Sequence, residues 1–204
     1  MEIVTSLTIP VMEHFYTLQG EGQWSGTPAY FIRTAGCDVG CHWCDVKESW
    51  TVSEEQYMEI SQVTQLAKDS RAPVAVITGG EPTMYDLGPL ARSVKAAGLR
   101  THIETSGAHP FSGDFDWVTL SPKKFKEARA EYYPQADELK VIVYNKHDLQ
   151  WAEAEAAKCD PEKTRFYLQP EWSRRERVEM IIDYIKTHPH WRLSLQTHKY
   201  INIP

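Results

Sequence analysis

Long apolar runs are missing from this sequence. None approaches the ~20 residues that a membrane-spanning helix needs, and charged residues make up 25% of the chain. Lysine and arginine do not cluster, and the formal net charge is −6. Both facts argue against a nucleic-acid-binding surface. Cysteine is scarce, at four in 204 residues, too few for a disulfide-stapled secreted scaffold. The opening Met1-Glu2-Ile3-Val4-Thr5-Ser6 has no basic region followed by an apolar one, so no export leader is read. A cytoplasmic protein in a reducing compartment is expected. No internal repeat, low-complexity tract or linker interrupts the chain, and its length suits one domain, residues 1–204, with a substantial core.

What cysteine there is stands together. Cys37, Cys41 and Cys44 have the spacing C-x3-C-x2-C, after the apolar run Tyr30-Phe31-Ile32 and the turn residue Gly36. Three thiolates are one short of a closed site, since cubane iron–sulfur clusters and structural zinc normally take four protein ligands. Three ligands on one loop suit a 4Fe-4S cluster whose fourth iron is left for a small molecule. Zinc is the alternative, with His42 or a distant residue as fourth ligand, although His42 between two of the cysteines would strain it. Cys159, in a helix-like stretch after Trp151, reads as a small buried residue.

Strand and helix patterns alternate. Strands are predicted at 29–34, 74–78, 100–105, 115–120, 138–144, 165–169 and 191–195. Ser53 and Gln56 form a capping box for a helix over about 53–68. Leu87, Leu90, Ala91 and Val94 recur at helical spacing, as do Val178, Ile181, Ile182 and Ile185. Such alternation predicts an α/β fold with a mostly parallel sheet. A closed eight-fold barrel typically takes about 250 residues, so a partial, open β/α barrel is expected. Polar motifs then fall at the carboxyl ends of the strands: the cysteine loop, Gly79-Gly80-Glu81-Pro82, Glu104-Thr105-Ser106-Gly107, Ser121-Pro122-Lys123, Gln169-Pro170 and Gln196-Thr197-His198-Lys199. That rim is where such folds carry their sites.

C-x3-C-x2-C after one strand and Gly-Gly-Glu-Pro after the next resemble the radical S-adenosylmethionine (SAM) superfamily. Phe15-Tyr16-Thr17-Leu18-Gln19-Gly20-Glu21-Gly22, Phe31-Ile32-Arg33, Ser121-Pro122-Lys123 and the C-terminal Gln-x-His-Lys segment narrow this. From about residue 12 onward the chain resembles the 7-carboxy-7-deazaguanine synthase family. The resemblance implies a 4Fe-4S cluster on Cys37, Cys41 and Cys44 whose open iron binds the methionine end of SAM. One-electron cleavage of the sulfonium then yields a 5′-deoxyadenosyl radical. It places Trp43, Asp45, Gly80, Glu81, Ser121, Pro122 and Lys123 at SAM, with Thr105 and Gln169 as further candidates from their rim position. The implied substrate is 6-carboxy-5,6,7,8-tetrahydropterin, converted to 7-carboxy-7-deazaguanine with loss of ammonia, on the way to queuosine and related 7-deazapurines. Arg33 suits its carboxylate, because a guanidinium fork matches a carboxylate bidentately. Leu18, Gln19, Gly20 and Glu21 would read the pterin edge, with Thr78, His198 and a carboxylate at Pro204 as further substrate contacts.

Homodimerisation and a flavodoxin-type electron donor are likewise implied by resemblance. One position departs from the family: Val46 stands where a threonine hydroxyl is expected to help bind Mg2+, and valine offers magnesium no oxygen. A glycyl-radical-enzyme activating enzyme and a non-catalytic zinc-binding module are the rival readings. The first would not need Gln19-Gly20-Glu21 or Pro204.

Overall fold

The computed structural model describes residues 7–204; Met1–Ser6, read above for a leader, lie outside them. The strands are β1 (Thr8–Leu18), β2 (Pro28–Thr34), β3 (Tyr57–Glu59), β4 (Val74–Gly79), β5 (Arg100–Thr105), β6 (Trp117–Leu120), β7 (Glu138–Val143), β8 (Arg165–Pro170) and β9 (Trp191–Leu193). The helices are α1 (Ile60–Asp69), α2 (Gly88–Ala96), α3 (His147–Ala156), α4 (Val178–Thr187) and α5 (Thr197–Ile201). One sheet runs in the order β3-β1-β2-β4-β5-β6-β7-β8-β9. β2 and β4 through β9 are parallel neighbours, while β1 pairs antiparallel with both β2 and β3. β3 and β9 remain as edges, so the barrel is open, as expected.

The elements differ from the sequence reading at β1, β3 and α1, and residues 197–201, read only as part of a rim motif, form the short helix α5. β1 was read only as a binding motif; it is a long antiparallel strand. The helix expected over 53–68 begins only at Ile60, and the Ser53–Gln56 capping box closes a 3-10 turn instead, with Ser53 N donating to Gln56 Oε1 at 2.9 Å. Between them Tyr57–Glu59 pairs with Thr8–Pro10. A partner strand nearly fifty residues away satisfies that backbone, and local periodicity cannot register it.

The period of two along each parallel strand divides the side chains. Ile32, Ile77, Ile103 and Val118 pack outward against α1 and α2, joining Val63, Leu87, Leu90 and Val94. Leu120, Leu139, Val141 and Leu168 pack with Leu149, Ala152 and Ile181 of α3 and α4. The alternate positions Arg33, Thr78, Glu104, Lys140 and Gln169 line a cavity on the concave side. The turn between β1 and β2 bends into the gap that β1 and β9 leave. Gly22 N donates to Ser194 Oγ at 2.9 Å, and Gln23 N donates to Glu138 Oε2 at 3.0 Å. Trp24 plugs the floor, 5.0 Å from the His102 ring and edge-on to Trp117.

Candidate active site

The carboxyl ends of the parallel strands enclose a cavity of about 490 Å³. All the residues singled out from the sequence line it except Pro122, which is buried beside it. Close packing at the rim favours glycine, against backbone at Gly80 and against the His198 side chain at Gly20. A Cβ on Gly80 would lie 2.1 Å from Gly36 O, and one on Gly20 would lie 2.2 Å from His198 Nδ1.

At one end lie Cys37, Cys41 and Cys44. All three are free thiols, and Cys159 is buried in the core behind α3. Burial pushes the Cys37 and Cys41 thiols up, Cys41 to about 11, so bound iron would be needed to hold them as thiolates. A cubane places each thiolate on a separate iron, and three free thiols on one loop lining the cavity suit that donor set.

Next to them Glu81 is 1% exposed. Its Oε1 accepts from Thr83 N, Thr83 Oγ1 and Thr105 Oγ1, the last at 2.5 Å; its Oε2 accepts from Ser106 N and Oγ at 2.8 and 2.5 Å. Thr105 therefore positions Glu81, a role its place in the chain did not reveal. Lys123 Nζ donates to Ser121 O and Oγ, both at 2.6 Å, and lies 5.8 Å from the Trp43 ring. Burial lowers its pKa.

The other end is a buried charge network. Lys140 pairs with Glu21 and lies 3.9 Å from Glu104. Glu104 accepts from Gln19 Nε2 at 2.9 Å and from Thr78 Oγ1 at 3.3 Å. Burial alone would raise Glu21; the Lys140 charge and hydrogen bonds from Lys140 and Gln196 outweigh it and hold the carboxyl at about 2. Burial raises Glu138 to about 7 and lowers His198. Gln169 is 2% exposed and accepts from Ser194 Oγ at 2.6 Å.

Arg33 borders the cavity, with its Nε donating to half-exposed Glu13 at 2.7 Å. A local ion pair thus takes one arm of the guanidinium and leaves its terminal nitrogens. Asp45 is tied to Lys199 and, at 3.2 Å, to Gln196 Nε2. Asn202, with φ 56, ends α5 in the left-handed region. The chain turns back there, and Pro204 O accepts from Thr17 Oγ1 at 3.2 Å.

Sequence reasoning missed Lys140, and it named Glu104, Gln196 and Lys199 only as members of rim motifs, without their roles. For Lys140 a signal existed: a lysine inside Leu139-Lys140-Val141, on a strand read as buried. Gln196 and Lys199 carried none beyond their motif.

A sequence model of the Radical SAM superfamily matches residues 31–141. A 7-carboxy-7-deazaguanine synthase from Synechocystis is 50% identical over 99% of this chain and 96% of the relative. One from Flavobacterium psychrophilum is 53% identical over 96% and 93%. The crystal structure of QueE from Escherichia coli superposes with a TM-score of 0.85 at 32% identity, covering 94% of this chain and 95% of that one. Open sheet, cysteine loop and relatives agree: the chain belongs to the radical SAM superfamily and, within it, to the 7-carboxy-7-deazaguanine synthase family.

Proposed function

We propose that this chain, as a single domain, converts 6-carboxy-5,6,7,8-tetrahydropterin to 7-carboxy-7-deazaguanine with loss of ammonia. The observation that carries the reading is one cavity with two chemically distinct ends, three thiols at one and the Glu21–Lys140–Glu104 network at the other. Cys37, Cys41 and Cys44 would hold the cluster, and Glu81, Ser121, Lys123 and Trp43 would hold SAM. When bound, these groups supply one-electron cleavage of a sulfonium and the radical that takes hydrogen from the substrate.

The chain's own part is placement and shielding. Arg33 grips the substrate carboxylate through its terminal nitrogens. Gln19, Glu21 and Glu104 offer acceptors to the guanidine-like pterin edge, with Thr78, His198 and Pro204 around it. Glu21 stays ionised at neutral pH because Lys140 compensates it. The β1–β2 turn and α5 meet over the cavity, where Thr197 N donates to Gly20 O at 2.9 Å. That cover suits a small molecule better than the backbone of a partner protein, which counts against a glycyl-radical activating role.

The reading brings with it a flavodoxin-type electron donor, a homodimer and cytoplasmic residence. No helix among the described residues is long and apolar enough to cross a membrane, and the net charge of −6 disfavours nucleic acid. The test is anaerobically reconstituted protein with SAM, reductant and the carboxy-tetrahydropterin. Formation of the deazapurine is expected; SAM cleavage without it would overturn the substrate assignment.

A further inference from the structure

The β1–β2 turn carries Gln19 and Glu21, the groups set against the pterin edge. It enters the barrel through the gap between β1 and β9 and is held from behind. Gly22 N donates to Ser194 Oγ at 2.9 Å, and Gln23 N donates to Glu138 Oε2 at 3.0 Å. The Gln23 side chain accepts from Tyr167 Oη at 2.8 Å and from Arg192 Nη1 at 3.1 Å. Trp24 packs on the His102 and Trp117 rings, with Arg100 4.6 Å from its own ring.

Glu138 is the acidic member of this support. It stands one step below Lys140 on the same face of β7 and is 2% exposed. Lys140 lines the cavity; Glu138 does not. The charges facing Glu138 are Lys140 on its own strand, Glu104 on β5 and Glu21 on the turn. Lys140 pairs with Glu21 and lies within reach of Glu104, so Glu138 has no ion pair among the described residues. A buried carboxylate without a cation of its own costs stability, and the contact Glu138 makes is to the turn. Burial raises its carboxyl to about 7. Ionised or protonated, it keeps an oxygen that accepts from Gln23 N. The approach is close: a Cβ on Gly22 would lie 2.1 Å from Glu138 Oε1.

We propose that Glu138 is a positioning residue for the pterin, holding the β1–β2 turn through Gln23 N as a hydrogen-bond acceptor and not as a charge. Its substrate is the one assigned under the proposed function, on which this role rests. Glu21 N donates to Gln19 Oε1 at 3.0 Å, and Gln19 Nε2 donates to Glu104. The turn therefore moves as one unit, and a tie lost at Gln23 is felt at both pterin-facing side chains. Small misplacements of such groups weaken substrate positioning steeply.

Two variants separate the hydrogen bond from the charge. Glu138→Gln keeps an acceptor at full reach and removes the charge. Glu138→Asp keeps the charge and draws it back by one methylene. Glu155→Asp is the control, another buried carboxylate, bonded to Tyr133 away from the cavity. In reconstituted enzyme with SAM, Glu138→Asp should raise the Michaelis constant for the carboxy-tetrahydropterin at least about fivefold. Its kcat and its uncoupled SAM cleavage should stay within about twofold. Glu138→Gln and the control should leave the Michaelis constant within about twofold. Hydrogen exchange at the Gln23 amide, followed without substrate, should quicken only in Glu138→Asp. An unchanged Michaelis constant in Glu138→Asp, or an equal rise in Glu138→Gln or in the control, would overturn the role. No product from the unmodified enzyme would count against the proposed function instead, and amide exchange would still decide whether Glu138 holds the turn.

Discussion

The Lys199 ammonium donates to the Asp45 carboxylate, tying α5 to the residue that follows the third cysteine. Burial alone would raise Asp45; the hydrogen bond and charge of Lys199 outweigh it and lower the carboxyl. One contact thus joins the cofactor loop to the segment that brings His198, Ile203 and Pro204 to the cavity. Lys199→Met should cost folding less than about 1 kcal/mol, as a half-exposed pair does. It should raise the Michaelis constant for the pterin at least about threefold through lost positioning. Uncoupled SAM cleavage should persist. Steady-state kinetics beside a denaturation curve give both numbers, and an unchanged Michaelis constant would remove the coupling.

Magnesium dependence should be weak. Val46 has no oxygen, and the neighbouring Asp45 carboxylate is already engaged by Lys199 and Gln196. Product formation with chelator should lie within about twofold of that with added magnesium, while Val46→Thr should become the more responsive protein. Strict dependence in the unmodified protein would mean that substrate or other groups suffice to bind the ion.

Arg33 should show the geometry of its fork. Arg33→Lys keeps the charge but cannot bind a carboxylate bidentately. A loss of at least about tenfold in substrate affinity follows from charged hydrogen bonds of roughly 1.5–3 kcal/mol. Glu13→Gln breaks only the half-exposed pair and should change affinity less than about threefold. Equal effects of the two would make the Glu13 ion pair the whole function of Arg33.

Iron should follow three cysteines and not the fourth. Alanine at Cys37, Cys41 or Cys44 should abolish the cluster's visible absorbance and SAM cleavage. Cys159→Ala should retain both and lose about 1 kcal/mol of stability or less, the cost of a small core deletion. Loss of the cluster on changing Cys159 would contradict the three-ligand site.

Stability should carry two opposed pH limbs. Burial raises Glu138 from 4.5 to about 7, so its contribution is full below 4.5 and is lost as pH rises toward 7. Burial, with Arg100 acting the same way, lowers His102 from 6.5 to about 4, so its contribution is full above 6.5 and is lost as pH falls toward 4. Relative to the unmodified protein, Glu138→Gln should therefore gain stability between pH 4.5 and 7, by up to about 3 kcal/mol. As pH falls from 6.5 toward 4, His102→Leu, which has no proton to take up, should gain stability relative to the unmodified protein. Denaturation midpoints across this range measure both, and a difference profile flat in pH would show the group to be solvated.

Much of the site could be read before the fold was known, because its chemistry is local. C-x3-C-x2-C sets three thiols on one loop by covalent spacing. Gly79-Gly80-Glu81-Pro82 must turn after a strand. Strand–helix alternation implies parallel pairing, and parallel strands carry their sites at their carboxyl ends. Those features depend on neighbours within a few residues.

The tertiary structure decided the rest, because it depends on residues far apart in the chain. β1 and β3 are strands only through each other and β2, and no periodicity in Tyr57–Glu59 could announce that. Lys140 is tolerated in a buried strand because the β1–β2 turn delivers Glu21 to it from 119 residues away. Desolvation would otherwise make that lysine untenable. Thr105 proved to hold Glu81, Lys199 to hold Asp45, and Glu13 to occupy one arm of Arg33. Each partnership is set by where the open barrel brings the strand ends, a geometry that residue type alone does not contain.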